Sequence, residues 1–131
     1  MSKIEVLMIK LMKTNFKERE IFIMAIRHVK SVDDFKEIVE SNNQVLVDFF
    51  ATWCGPCKML APVLEGAATK LEGDVVIAKV DIDENQELAN AFRVQSVPTL
   101  VFFKDNKAVL ATAGYMDEAG LMRFIDTAKE K

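Results

Sequence analysis

The stretch Trp53-Cys54-Gly55-Pro56-Cys57-Lys58 holds the two cysteines of the 131-residue chain. It follows an apolar, strand-like run, Val45 to Phe50, and precedes a helical pattern that continues to about Leu71. The first N–H groups of a helix have no internal acceptor and carry partial positive charge, so a thiolate placed there is stabilised over the thiol. This strand-to-helix junction therefore predicts a reactive dithiol.

The spacing of the cysteines favours redox chemistry over a structural role. A structural zinc site needs four ligands, and the single histidine, His28, is distant in sequence. We therefore expect no metal, and we interpret His28 as a surface or strand-edge residue. Gly55-Pro56 is poor core material but suits a tight helix start. We interpret Cys54, at the first helical position, as the attacking thiolate, and Cys57, more buried, as the thiol that resolves the mixed disulfide.

Composition narrows the class of protein. Half of the residues are hydrophobic, which is enough for one domain with its own core. The net charge of −3 does not favour a nucleic-acid partner. Two cysteines do not make a disulfide-rich secreted scaffold, and no apolar run reaches the roughly 18 residues of a spanning helix. Without a convincing signal peptide, we expect a cytoplasmic protein for which a membrane is not the expected partner.

The charge is uneven along the chain, since residues 1–30 carry net +4 and residues 31–131 net −7. We assign residues 1–23 to an N-terminal extension and 24–131 to the folded domain. In the extension, apolar residues recur at helical spacing among lysines. Three interpretations stay open: a short amphipathic helix that contacts a membrane or a partner, a frayed tail, and a segment upstream of a true start at Met24.

Residues 25–131 alternate between strand-like and helix-like patterns. The order β-α-β-α-β-α-β-β-α favours an α/β fold, with one mixed sheet between helices. The predicted elements are a strand at Ile26–Lys30, a helix capped by Ser31 and Asp34, the strand Val45–Phe50, the helix after Cys54, a strand at Val75–Val80, a short helix capped by Asp83, a hairpin of Leu100–Phe103 and Ala108–Ala113 around Asp105-Asn106, and a last helix opened by Asp117.

Asp48 interrupts the apolar run that precedes the cysteines. A carboxylate buried there is costly unless it is paired or protonated. It could form a structural pair with Lys79, which lies in a similar apolar strand. It could also be a carboxyl of raised pKa beneath the dithiol that moves the proton of Cys57. Both interpretations stay open, and Val97-Pro98 taken alone indicates only a loop proline.

Four segments in order resemble the thioredoxin family, over residues 25–131. They are Val-Leu-Val-Asp-Phe-Phe-Ala-Thr-Trp-Cys-Gly-Pro-Cys-Lys-Met (45–59), Ala-Lys-Val-Asp-Ile-Asp-Glu-Asn (78–85), Ser-Val-Pro-Thr-Leu (96–100) and Ala-Gly-Tyr (113–115). The resemblance implies a thioredoxin fold, a central mixed sheet flanked by about four helices. It also implies that residues 24–131 form a thioredoxin domain.

The same resemblance implies roles for particular residues. Pro98 would be cis and face the cysteines, with the Val97 backbone pairing with an extended substrate. Asp48 and Lys79 would be the buried pair beneath Cys57. A flat apolar docking surface would be rimmed by Trp53, Gly55, Pro56, Val97, Gly114 and Tyr115. Phe50 stands where many members have a second tryptophan, and we expect no effect on the chemistry.

The implied activity is the reduction of protein disulfides in client proteins through a redox-active Cys54–Cys57 disulfide. Electrons would return from a thioredoxin reductase that draws on NADPH, and the chain itself would bind no cofactor. We expect a monomer. The alternative is a non-enzymatic subunit of the same fold, in which the dithiol serves binding or has no role.

Overall fold

The computed structural model describes residues 2–6, 8 and 25–131 of the chain. Residues 3–6 form a helical turn, in which the Val6 N–H donates to the Ser2 carbonyl and the Glu5 N–H to the Ser2 Oγ. Residues 1, 7 and 9–23 of the predicted extension, and the alternative start at Met24, lie outside the described residues.

Five strands and four helices follow one another in the predicted order within residues 25–131. They are β1 (Ile26–His28), α1 (Val32–Ser41), β2 (Gln44–Phe50), α2 (Gly55–Lys70), β3 (Val76–Asp81), α3 (Gln86–Ala91), β4 (Thr99–Lys104), β5 (Lys107–Ala113) and α4 (Glu118–Lys129). The predicted mixed sheet is confirmed. Its strand order is β1-β3-β2-β4-β5, with β1, β3 and β2 parallel and the β4–β5 hairpin antiparallel to β2.

Each face of the sheet is covered by helices, which explains why the central strands read as continuous apolar runs. One face packs against α2 and α4, around Leu46, Leu100 and Phe102. The other packs against α1 and α3 through alternate residues of the same strands, such as Val47 and Phe49. Asp48 and Phe50 therefore share the face of Leu46, beneath α2.

Helix caps were predicted correctly at two positions and incorrectly at a third. The Ser31 Oγ accepts the Asp34 N–H and Asp117 accepts the Gly120 N–H, as expected. Helix α3 instead begins after Asn85, which makes no side-chain cap bond. The amide of Asn85 is turned inward and donates to the Asp81 carbonyl, so Asp83 is not the cap.

The end of β1 differs from the sequence prediction, whereas the turn between β4 and β5 agrees with it. Strand β1 ends at His28 rather than Lys30, although the Val29 N–H still donates to the Lys79 carbonyl, and Ser31 follows as the extended N-cap of α1. The hairpin turn lies at Asp105-Asn106 as predicted. Both residues have positive φ, 49° and 67°, which tight hairpin turns require.

We expect Phe102→Ala to lower the free energy of unfolding by about 3–5 kcal/mol, because a fully buried aromatic side chain is removed and a cavity remains. Urea unfolding at fixed pH measures this loss. Phe124→Ala on α4 is the matched control: its ring is only partly buried, so its loss should be smaller. Equal losses would contradict the placement of Phe102 at the centre of this core.

Candidate redox site

The sequence predicts that Cys54 occupies the first position of a helix, and the structure corrects this by one residue. Cys54 is the N-cap of α2, with extended backbone, and the helix begins at Gly55. The cap position makes its sulfur an acceptor, since the Cys57 N–H donates to the Cys54 Sγ at 3.2 Å. An ordinary cap uses an oxygen for this bond. Here one N–H group of the first helical turn, that of Cys57, donates to sulfur.

Cys54 and Cys57 are joined by a disulfide, with their Cα atoms 5.3 Å apart. The predicted difference in burial is small: Cys54 is 5% exposed and Cys57 4%. Their difference lies in the helix, because Cys54 receives the N–H while Cys57 lies within the first turn. Both pack with Ala51 in a small cluster at the end of β2.

The peptide bond between Val97 and Pro98 is cis, and this loop lies beside the disulfide. The Val97 carbonyl oxygen lies 3.6 Å from the Cys54 Sγ. The Gly114 N–H donates to the Pro98 carbonyl at 2.8 Å, so the loop after β5 lies beside the same point. Gly114 has φ of 97°, a conformation that favours glycine. Three segments distant in sequence therefore meet at the cysteines.

Two large aromatic side chains are exposed at residues predicted to rim the site. Trp53 is 68% exposed and Tyr115 44%. The Trp53 Nε1–H donates to the Asp83 Oδ2 at 2.9 Å, which fixes the indole ring in the loop. Sequence reasoning missed this bond, because the position of Asp83 before a short helix favoured a cap. Met59 is also exposed, at 60%, and lies one turn along α2 from Gly55. The sequence pattern did not predict that this apolar side chain would be exposed.

Asp48 lies in β2 and is 1% exposed. Its Cα pairs with that of Lys79 in the register of the parallel strands β2 and β3. Burial raises the pKa of the Asp48 carboxyl to about 6, and the nearby Lys79 charge opposes part of that rise. The predicted neighbourhood of these two residues is thus present, although no direct ion pair joins them in the described part of the chain.

His28 lies on the exposed edge strand, as predicted, in register with Lys79. Partial burial and the Lys79 charge lower the pKa of His28. Within the described ranges, no group of three or more His, Cys, Asp or Glu side chains could hold a metal ion. The same ranges contain no helix that is both long and apolar enough to cross a membrane.

Comparison with known proteins identifies a family whose members carry a redox-active cysteine pair, in agreement with the geometry of the site. The family model for thioredoxin matches residues 26–127. Thioredoxin of Mycobacterium tuberculosis is 52% identical over 87 residues, 66% of this chain and 75% of that protein. The bifunctional thioredoxin reductase/thioredoxin of Mycobacterium leprae is 46% identical over 89 residues, 68% of this chain and 19% of that protein.

Solved structures agree on the fold. A mutant thioredoxin from Halobacterium salinarum superposes with a TM-score of 0.74 at 42% identity, covering 81% of this chain and 92% of that one. In both the Mycobacterium tuberculosis and the Halobacterium comparison, the similarity extends over most of the described domain. The chain belongs to the thioredoxin family, and its close cysteine pair exchanges dithiol for disulfide.

Proposed function

We propose that the chain reduces disulfides of client proteins, with Cys54 as the nucleophile and Cys57 as the resolving thiol. The observation that carries these roles is the bond from the Cys57 N–H to the Cys54 Sγ at the start of α2. In the reduced protein this donor and the helix dipole favour a thiolate at Cys54. Cys57 has no such position, so its proton must be removed when it acts.

The exchange balances in two steps. The Cys54 thiolate attacks one sulfur of the client disulfide, forms a mixed disulfide and releases the first client sulfur as a thiolate, which takes a proton from water. Cys57 then loses its proton and attacks the Cys54 sulfur. The Cys54–Cys57 disulfide forms and the second client thiolate leaves, so two electrons pass from this chain to the client.

Asp48 is the proposed acceptor of the Cys57 proton. It is buried on the face of the sheet beneath α2, and its pKa is raised to about 6. A carboxyl with a pKa close to the working pH is a better proton acceptor than an ordinary aspartate, whose pKa lies lower. Lys79 adjusts this pKa from the neighbouring strand.

The exposed aromatic rings and the loops around the disulfide are the proposed client surface. The surface comprises Trp53, Gly55, Pro56, Val97, Pro98, Gly114 and Tyr115. An extended client segment would pair with the Val97 backbone, as an added strand pairs with a sheet edge. The short distance from the Val97 carbonyl to the Cys54 Sγ supports this, because it would place a client disulfide within reach of the nucleophile.

Electrons would return from a thioredoxin reductase that uses NADPH, while this chain binds no cofactor of its own. The Mycobacterium leprae protein, in which both names belong to one polypeptide, supports a reductase as the partner. We place the protein in the cytoplasm, because reduction of clients requires a compartment in which the dithiol is regenerated. We propose that it acts there as a monomer.

The oxidised protein, supplied with a thioredoxin reductase and NADPH, should reduce the interchain disulfides of insulin. Cys54→Ser should lower the rate by a factor of about 1,000 or more, since the nucleophile is lost. The assay follows NADPH absorbance and insulin precipitation. NADPH consumption and insulin reduction should fall together in this variant, since each NADPH reduces one insulin disulfide through this chain. An inactive wild type that retains its reduced dithiol would support the binding-subunit alternative.

Cys57→Ser should accumulate mixed disulfides with client proteins at Cys54, because the second step has no thiol to complete it. Mass spectrometry of proteins released by reductant from the immobilised variant measures this. Cys54→Ser is the matched control and should retain far fewer clients. If the two variants retained equal amounts, the roles assigned to the cysteines would be wrong.

Asp48→Asn should stabilise the oxidised protein at pH 8 by up to about 3 kcal/mol, since the raised pKa means that the folded state disfavours the charged carboxylate. The wild type binds more protons folded than unfolded between about pH 4 and 6, so its stability falls as pH rises through that window. Urea unfolding at pH 4 and pH 8 should show the gain only at pH 8.

The same variant should resolve mixed disulfides more slowly at pH 7, because the proton of Cys57 has no carboxylate to accept it. Asp126→Asn, at an exposed carboxylate in the last turn of α4 that makes no ion pair among the described residues, serves as the control for both measurements. If Asp48→Asn lowered stability equally at both pH values, Asp48 would be a structural residue and its proposed role in proton transfer would be lost.

A further inference from the structure

One oxygen of the buried Asp48 carboxyl lacks a hydrogen-bond partner. Its Oδ1 has no hydrogen bond among the described residues, although Lys79 lies in register on the next strand. An unpaired buried carboxylate is costly, and a direct ion pair with a neighbouring ammonium would offset part of that cost. The absence of this ion pair raises the question of which group the Lys79 ammonium contacts instead.

The Lys79 ammonium lies over an aromatic ring instead. Its Nζ is 4.9 Å from the centroid of the Phe50 ring. Phe50 is two residues after Asp48 on the same face of β2, so it is the diagonal neighbour of Lys79 across the strand pair. A cation at this distance from a ring is attracted to the negative face of the ring, and the attraction is stronger where water is excluded.

We propose that Phe50 is a positioning residue: its ring holds the Lys79 ammonium and withholds it from a direct ion pair with Asp48, so that the carboxylate stays free to take the proton of Cys57. The proposal rests on the proposed role of Asp48. It departs from the sequence-based expectation that Phe50 has no bearing on the chemistry.

Asp48 has one register partner on each neighbouring strand, and Lys79 is the charged one. On β4 the partner of Asp48 is the apolar Leu100, and on α2 Cys57 is held in the disulfide. Helix α4 presents Leu121 and Ile125 to this core. Two titratable groups flank Lys79. They are His28, its register partner on β1, and Asp81, the register partner of Phe50, whose Oδ1 accepts the N–H groups of Asp83 and Glu84.

Carbon-13 NMR titration of the Asp48 carboxyl in the oxidised protein tests the proposal, because disulfide-bonded cysteines do not titrate there. In Phe50→Leu the released ammonium can reach the carboxylate, and the Asp48 pKa should fall by about 1 unit or more. Phe50→Trp keeps a ring and should leave the pKa within a few tenths of the wild type. Phe50→Met, which has an unbranched, flexible side chain and no ring, should behave as Phe50→Leu and replaces it should that variant fold poorly.

Loss of the Phe50 ring could lower the Asp48 pKa either by releasing the Lys79 ammonium or by admitting water beside the carboxyl. The same substitutions in a Lys79→Met background separate these two effects. There, Phe50→Leu should leave the Asp48 pKa unchanged, since no ammonium remains to be released. A fall that persists would come from water entering beside the carboxyl and would overturn the proposal. So would an unchanged or raised pKa in Phe50→Leu alone. His28→Gln, combined with each variant, removes the imidazole titration from the curves.

A kinetic measurement tests whether the Asp48 carboxyl accepts the proton of Cys57, separately from the effect of Phe50 on the Asp48 pKa. The rate at which Cys57 resolves a preformed mixed disulfide at Cys54 is followed against pH. This rate should fall at low pH as Asp48 becomes protonated. In Phe50→Leu the acid limb of the pH profile, where the rate falls, should move to lower pH by the same amount as the Asp48 pKa. A pKa that falls while the limb stays fixed would overturn the positioning role in catalysis and the proton role of Asp48, but would leave Cys54 as the nucleophile.

Discussion

The hydrogen bond from the Cys57 N–H to the Cys54 Sγ depends on a strand that ends and a helix that begins within five residues. Strand β2 ends at Phe50 and α2 begins at Gly55, so the cap position falls on a cysteine. Pro lies in the first helical turn, where a missing N–H costs nothing because no internal acceptor exists for it. The donor that remains is aimed at sulfur, and the positive end of a 16-residue helix lies behind it.

That helix end is useful only because the sheet brings two other segments to it. The β4–β5 hairpin runs antiparallel to β2, so the loop before β4 and the loop after β5 lie at the edge where the parallel strands end. The bond from the Gly114 N–H to the Pro98 carbonyl ties these loops together. A client disulfide that lies along Val97 would thus meet the sulfur held at the helix start. The core on the two faces of the sheet keeps this arrangement rigid.

Local patterns in the sequence were enough for the order of elements, the caps at Ser31 and Asp117 and the hairpin turn, because each depends on a few adjacent residues. The cap of α3 was predicted wrongly because Asp83 and Asn85 are both good cap residues, and a contact with Trp53, 30 residues away, decides where the Asp83 carboxylate lies. The contact between Lys79 and Phe50 was missed for the same reason, since strand register sets it. Asp48 was recognised as unusual, because a charge in an apolar run is visible without a structure.

Asp48 is where stability and chemistry oppose one another. A buried carboxyl whose pKa is raised to about 6 lowers the stability of the folded chain near neutral pH. A direct ion pair with Lys79 would recover some of that stability, but it would also hold the carboxylate in its charged form and make it a poor proton acceptor. The Lys79 ammonium lies over the ring of Phe50 instead. In the proposed mechanism, this contact leaves the cost in place and keeps the pKa of the carboxyl close to the pH at which it would accept the proton of Cys57. If Asp48 accepts the proton of Cys57 as proposed, the unfavourable electrostatics beneath α2 is a requirement of the exchange reaction and not a defect of the core.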